Sequence, residues 1–291
     1  MKKDSTVKYK KKSQIGDVWR RFRKNKAAMT GLIILLVLAF LAIFASAFGS
    51  YEEAILLNGA IRLNPPGAGH IFGTDHYGRD VFLRIVHGAQ VSLTIGLAVT
   101  AIAVTAGALL GAVAGFYGGI VDNIIMRIMD VFMCIPGMLL ALAIVAALGT
   151  SLTNLLIALT IAYIPTFVRL TRSSILTVAG ADFVEAAHSY GASDWRIITK
   201  YILPNALGPV IVQATMSIAG VIISAAAMSY LGMGIQPPAP EWGAMLSEAK
   251  EYMNRAPYLL YIPGIAILLS ALSFNLVGDG LRDALDPKLK N

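Results

Sequence analysis

Five stretches of this chain, 27–51, 85–121, 131–168, 201–240 and 256–278, contain no Asp, Glu, Lys or Arg. Soluble domains carry about 25% charged residues, so runs of this length do not belong on a water-facing surface. Here the charged share is 14%, against 56% hydrophobic. A helix needs roughly 20 apolar residues, at about 1.5 Å each, to cross the hydrocarbon core. On that arithmetic the first and last runs hold one span each, at about 28–48 and 257–278. The second and fourth hold one span plus flanking loop, at about 89–115 and 207–231. The third is interrupted by "GTSLTN" at 149–154 and reads as two spans, at about 124–148 and 153–170. The chain is expected to be an all-α membrane protein with six transmembrane helices.

Charge sets the orientation. Residues 1–30 hold eleven Lys/Arg and two acids, a net of +9, whereas the whole chain carries only +7. A basic cluster can serve nucleic acid, but beside a span an excess of Lys and Arg is retained on the cytoplasmic side and meets anionic lipid headgroups. No nucleic-acid partner is expected. With the N-terminus inside and six crossings, "LRDALDPKLKN" at the end is inside as well. The expected organisation is a basic cytoplasmic segment 1–27, a first helix 28–48 and an extracytoplasmic segment 49–86. A five-helix core 87–280 follows, with a cytoplasmic loop 171–206 and an extracytoplasmic loop 232–256, and then a cytoplasmic tail 281–291. "ASA" at 45–47 resembles a signal cleavage site. The apolar run before it exceeds the roughly 7–15 residues of a signal core, which favours an uncleaved anchor. Cys134 is the one cysteine, so no internal disulfide forms.

Within the spans, Gly107, Gly111 and Gly115 line one helix face without side-chain bulk, spacing that lets a neighbouring helix approach closely. Arg127 and Asp130 stand three apart, where they can pair at the cytoplasmic boundary, and Pro136-Gly137 predicts a kink. An ion-relay role for Asp130 is the rival reading. Outside the spans, His70, Asp75, His76 and Asp80 offer nitrogen and oxygen donors suited to a transition metal. The Gly and Asp density of "GTDHYGRD" favours a turn instead, and no metal site is expected.

The segment "EAAHSYGASDWRIITKYILPN", 185–205, is soluble-looking between two apolar runs. Read as helix, Phe183, Ala186, Ala187 and Tyr190 share a stripe, with Asp182 as cap, Glu185 completing a capping-box-like pair, and Glu185 facing away from the stripe. Gly191 sits where a helix end takes a left-handed residue. A second short helix with Trp195, Ile198 and Ile202 on one face is expected to end at Pro204. The result is a helix–turn–helix elbow whose small residues can enter a groove on another protein.

Glu185-Ala186-Ala187, Gly191 four residues after Ala187, and Leu203-Pro204 resemble the EAA loop of ABC-importer permeases, with Tyr201 where many members have Ile. "FGTDHYGRD" (72–80), "SYLGMGIQPPAPEWGAML" (229–246) and "NLVGDGLRDALDPKL" (275–289) are similar to the dipeptide/oligopeptide/nickel permease family, specifically its C-type subunit. Leu83, Gln90 and Ala225 depart from residues frequent in that family. The resemblance implies a type I ABC-importer permease in a bacterial cytoplasmic membrane. It implies coupling to ATPase subunits through Glu185, Ala186, Ala187, Gly191, Leu203 and Pro204 in cytoplasmic coupling helices. Its implied partners are a homologous B-type permease subunit, two ATPase subunits that bind ATP and Mg, and an extracytoplasmic substrate-binding protein docking on 49–86 and 232–256. Peptides are the implied cargo, with nickel or metal chelates the alternative.

Other classes fit less well. The chain has no G-x-x-x-x-G-K-[ST] phosphate loop, so any ATP is expected to bind elsewhere, and no cofactor is expected in this chain. No catalytic residue is expected: no histidine follows Ser193, and H-E-x-x-H is absent. A secondary transporter would carry ionisable residues at mid-membrane, and the span centres here are bare of them.

Overall fold

The computed structural model describes residues 14–67 and 69–285. Its chain is a bundle of helices joined by short turns. An amphipathic α1 (Gln14–Phe22) is followed by α2 (Lys26–Ile43), which starts where the Asn25 side chain accepts the Ala28 N–H. The apolar run does not stay helical to residue 48. It bends at Phe44 into the short α3 (Ala45–Phe48) and then α4 (Tyr51–Ile55), which opens on a Ser50–Glu53 capping box. A turn-rich stretch leads to α5 (Val81–Tyr117), a single helix of 37 residues capped by Asp80. It is longer than the span its apolar core suggests, because a capping side chain rather than the loss of apolar residues decides where it begins.

The third span is broken. α6 (Gly119–Met133) and α7 (Gly137–Leu148) meet at an 82° bend. Proline at 136 has no N–H to donate and its φ is fixed, so the helix ends before it and restarts after it. α8 (Leu152–Ala179) is capped by Ser151 and runs nine residues past the apolar stretch that predicted it. Then come α9 (Asp182–Ser189) and α10 (Asp194–Ile197), a π turn over 198–202, α11 (Leu203–Tyr230), α12 (Trp242–Ala249) and α13 (Tyr258–Leu285). Among the described residues five helices are long and apolar enough to span a bilayer, and the bent α6–α7 pair adds a sixth if its two helices form one span.

α5 and α8 run side by side in the same direction. A Cβ on Gly107 would lie 2.4 Å from that of Phe167, one on Gly111 2.5 Å from the Val168 carbonyl oxygen, and one on Gly115 2.9 Å from the Ile175 Cβ. The glycine stripe therefore packs within the subunit. α2 lies antiparallel to α13, with Ala28 opposite Gly280 and Gly31 opposite Leu276. Few α2 residues are buried, which places it at the periphery. The end of the bundle carrying α1, the α9–α10 turn and the C-terminus of α13 is called here the inner end.

At the opposite, outer end the stretches 49–86 and 232–256 fold together over a buried cluster of charges. Arg79 Nε donates to Asp75 Oδ2 at 2.6 Å, and Arg79 Nη2 to Glu248 Oε1 at 2.7 Å. Arg84 spans the same pair, with Nη1 to Asp75 Oδ2 and Nη2 to Glu248 Oε2, both at 2.6 Å. Burial alone would raise the Asp75 carboxyl, but the Arg84 and Arg79 charges and the N–H groups of Arg79 and Tyr77 outweigh it and hold it below the usual value. Glu241 caps α12, accepting the N–H groups of Gly243 and Ala244 at 3.0 and 2.8 Å, and its burial pushes its carboxyl up despite those donors. Trp242 is fully buried beside it, and its indole N–H donates to the Ile85 carbonyl at 3.1 Å.

This arrangement uses up the nitrogen and oxygen donors of "GTDHYGRD". Asp75 is held by two arginines, His70 pairs with Asp80 at 2.7 Å, and His76 stacks on Tyr252. Burial keeps the His76 pKa below its ordinary value, against the pull of Asp75. Among the described residues no group of three His, Cys, Asp or Glu is placed to hold a metal ion. Asp130 likewise finds a different partner from Arg127. Arg169 donates to it at 2.7 Å, while Arg172 makes a bidentate pair with Asp122 at 2.5 Å. Between Asp122 and Asp130 α6 thus advances only three residues along α8, so it lies crosswise over that helix.

Candidate functional site

The elbow at the inner end is built from α9, α10 and the π turn. Its buried residues are Val184, Ala187, Ile197, Ile198 and Ile202, packed on Ala112 of α5, Ile175 of α8 and Ala206 of α11. Phe116 adds a stacking contact with His188, ring centroids 6.1 Å apart. The elbow therefore rests on the inner ends of the same two helices that the glycine stripe binds together, and any force on it reaches both.

The inward face is not the stripe the periodicity suggested. Val184 and Ala187 point in, whereas Phe183, Ala186 and Tyr190 are exposed, Tyr190 at 91%. In the second helix Ile197, Ile198 and Ile202 are buried while Trp195 is 65% exposed. Aromatic periodicity picked the wrong face because a small helix on a crowded surface buries its compact residues and leaves the rings outside. What remains outside includes three large apolar side chains, Phe183, Tyr190 and Trp195, and the exposed Glu185. Aromatic residues are enriched at protein contact surfaces.

Two local details also differ. The N-cap of α9 is Ala181, which makes no side-chain cap, so Asp182 does not cap the helix. Asp182 and Glu185 instead lie in the first turn, where negative charge opposes the helix dipole. Pro204 does not end the second helix. Its missing N–H would leave a carbonyl unpaired in a straight α-helix and its ring would crowd the preceding turn. The wider π turn absorbs the fault, Leu203 N–H reaching the Ile198 carbonyl, and Asn205 Nδ2 donates to the Tyr201 carbonyl at 2.6 Å. The chain then runs on as α11.

Gly191 has φ +71, a left-handed turn that favours glycine, and a Cβ placed there would meet nothing within 4 Å. Of the six residues singled out from the sequence, Glu185, Ala186, Gly191 and Pro204 are exposed, while Ala187 is buried in the elbow core and Leu203 packs partly against it. The structure thus spreads the six over the elbow and the start of α11, with four exposed and two turned inward. Trp195 and Tyr190 on the outer surface were missed as surface residues, and no signal in a single sequence distinguishes the two faces of so short a helix.

Residues 107–291 match the family described as "Binding-protein-dependent transport system inner membrane component", and 13–66 match the "N-terminal TM domain of oligopeptide transport permease C". The dipeptide transport system permease protein DppC of Alkalihalophilus pseudofirmus is 46% identical over 277 residues, 94% of this chain and 90% of the relative. The di/tripeptide transport system permease protein DppC of Pseudomonas aeruginosa is 45% identical, over 96% of this chain and 94% of the relative. The glutathione transport system permease protein GsiD of Escherichia coli is 47% identical over 94% of this chain and 90% of its own length. Among solved structures, a chain of the inward-facing MetNI methionine ABC transporter superposes with a TM-score of 0.58 at 20% identity, over 70% of this chain and 98% of that one. That likeness concerns the fold, a type I importer permease. The family match across 107–291 and the 45–46% identity to DppC-type permeases over 94–96% of this chain establish the family: this chain belongs to the inner-membrane components of binding-protein-dependent ABC importers and, within them, to the C-type permeases of the dipeptide/oligopeptide/nickel group.

Proposed function

We propose that this chain and a homologous B-type permease subunit form the translocation path of an importer for di- and oligopeptides, driven by two ATPase subunits that dock on the elbow. The peptide cargo rests on the relatives, whose names are dipeptide, di/tripeptide and glutathione permeases. The observation that carries the coupling role is the two-sided elbow, with Val184, Ala187 and Ile197 held on α5 and α8 and with Phe183, Glu185, Tyr190 and Trp195 facing outward. The chain itself is no enzyme in this reading: ATP and Mg sit on the partners, and closure of the ATPase pair moves the elbow and tilts the helices anchored to it. A bistable packed interface of this kind switches between two arrangements as a rigid body. An extracytoplasmic binding protein would deliver peptide to the outer cap formed by 49–86 and 232–256.

Glu185 is exposed and its carboxylate makes no hydrogen bond or ion pair among the described residues, so it can accept from a cation or backbone donor on an ATPase subunit. Hydrogen bonds to charged groups are worth about 1.5–3 kcal/mol, roughly a 10- to 150-fold change in docking affinity. Glu185→Ala is therefore expected to lower peptide uptake at least tenfold at limiting ATPase while the permease still inserts. Gly191→Val combines left-handed strain with bulk directed into open space and is expected to do the same. Co-purification of ATPase subunits, with uptake of labelled dipeptide and of nickel in a deletion strain, tests both. Normal uptake in the two variants would remove the elbow from the coupling path, and nickel uptake without dipeptide uptake would overturn the cargo.

A further inference from the structure

A cavity of about 290 Å³ lies beside the α6–α7 break, lined by Pro136, Gly137 and Met138 of that break, by Tyr163 and Thr166 of α8 and by Ser224 of α11. Its depth follows from helix geometry. Gly137 faces Ala162, ten residues from the start of α8, or about 15 Å at the usual rise, half the hydrocarbon thickness. At that depth the chain from Met133 to Met138 is exposed on the isolated subunit, and the Pro136 cap of α7 supplies no side-chain acceptor for the free N–H groups of the first turn. Hydrocarbon cannot solvate such groups, and non-helical backbone at membrane depth occurs where protein or a water-filled cavity covers it. This face therefore does not look into lipid.

The cavity's polar groups are hydroxyls, with Tyr163 Oη and Ser224 Oγ 3.4 Å apart. Gly220 leaves room for the ring's tip, since a Cβ there would sit 2.9 Å from the Tyr163 hydroxyl. Two hydroxyls that can donate and an uncapped helix start, set against Leu159 and Met138, suit an oxygen acceptor next to an apolar group. We propose that this cavity is a subsite of the translocation path, taking a carbonyl or carboxylate oxygen of the passing peptide on Tyr163 and Ser224 with an apolar side chain beside Met138. The inference rests on the peptide-importer reading and names where in this subunit the peptide is held.

The test uses the assembled transporter in membrane vesicles, with Ser224→Cys in a Cys134→Ser background and a charged, membrane-impermeant methanethiosulfonate as the probe. Reaction at 224, slowed severalfold by a transported dipeptide, is the expected result. Tyr163→Phe should raise the KM for dipeptide uptake about two- to tenfold, the range for one lost hydrogen bond, with little change in maximal rate. Reaction only with a membrane-permeant maleimide would place the cavity against lipid or a partner helix and overturn the proposal. So would a charged-reagent reaction that dipeptide does not slow, or an unaltered KM in Tyr163→Phe. Failure of the unsubstituted complex to take up any peptide is a separate outcome: it removes the peptide reading itself, whatever reactivity position 224 shows.

Discussion

Arg84→Ala is expected to destabilise the outer cap by about 3–5 kcal/mol, the penalty for breaking a buried ion pair from one side. Arg84 is 2% exposed and joins Asp75, in the loop before α5, to Glu248 of α12, which lies 164 residues beyond Arg84 itself. Without it two carboxylates share the single guanidinium of Arg79 in a site with little water. The Asp75 carboxyl, now held below its usual value by both arginines, would rise. The sign for the unsubstituted protein follows from that depression. A carboxyl whose folded pKa is lowered contributes stability above its unfolded value of about 3.9, and the contribution is lost as pH falls through the folded value. The native cap is thus insensitive to this group from neutral pH down to about 4, while the Arg84→Ala cap is expected to lose stability at neutral pH. Thermal unfolding of the purified complex and limited proteolysis within 56–80 read the effect. Arg84→Lys should recover only part of it, because an ammonium cannot present the two-pronged contact. An unchanged melting temperature in Arg84→Ala would show that the cluster does not hold the cap.

Gly111→Leu is expected to separate α5 from α8, at a cost above about 3 kcal/mol, the upper part of the range for overpacking a close-fitted core. The added Cβ alone would lie 2.5 Å from the Val168 carbonyl oxygen and 2.8 Å from the Thr171 Cβ. Neither is the end of a flexible side chain, so the helices themselves must move. Ala112 and Ile175, next to this contact, form part of the elbow's floor, so the elbow should lose its seat at the same time. Yield of monodisperse complex and ATPase co-purification report the two consequences. Gly208→Ala is the matched control in α11. Nothing lies within 4 Å of its added Cβ, and alanine favours a helix over glycine by about 1 kcal/mol. Equal recovery of Gly111→Leu and Gly208→Ala would contradict the close α5–α8 contact.

Much of the architecture was legible before any coordinates. Crossing a bilayer is a local requirement, satisfied by uninterrupted apolar residues, so charge-free runs located the membrane helices without reference to their neighbours. The glycine spacing at 107, 111 and 115 announced a close helix contact, and the left-handed turn at Gly191 was readable because few other residues adopt it cheaply. The partner of the glycine stripe was not readable, since the face of α8 that receives it, Phe167, Val168, Thr171 and Ile175, carries no matching small-residue spacing. The break at Pro136 was expected as a kink, but neither its size, 82°, nor the Asp122–Arg172 and Asp130–Arg169 pairs that tie α6 to α8 could be read from the sequence.

The candidate site divides the same way. Its position between α8 and α11 and its six marked residues were visible in the order of the chain. Which side of α9 faces inward was not, because Val184 and Ala187 are selected by the shape of the surface beneath them and the rings of Phe183 and Tyr190 are excluded by it. The outer cluster is a stronger case. Asp75 and Arg79 read as polar residues of a turn, and nothing marked Arg84 as joining them to Glu248 from the far end of the chain. By itself the sequence determined where the long apolar helices lie and where a soluble-looking elbow interrupts them, since each depends on the local balance of apolar, charged and turn-forming residues. Only the tertiary structure decided which faces meet, which charges are paired and where a cavity opens, because packing and ion pairing join residues whose separation along the chain carries no mark of their contact.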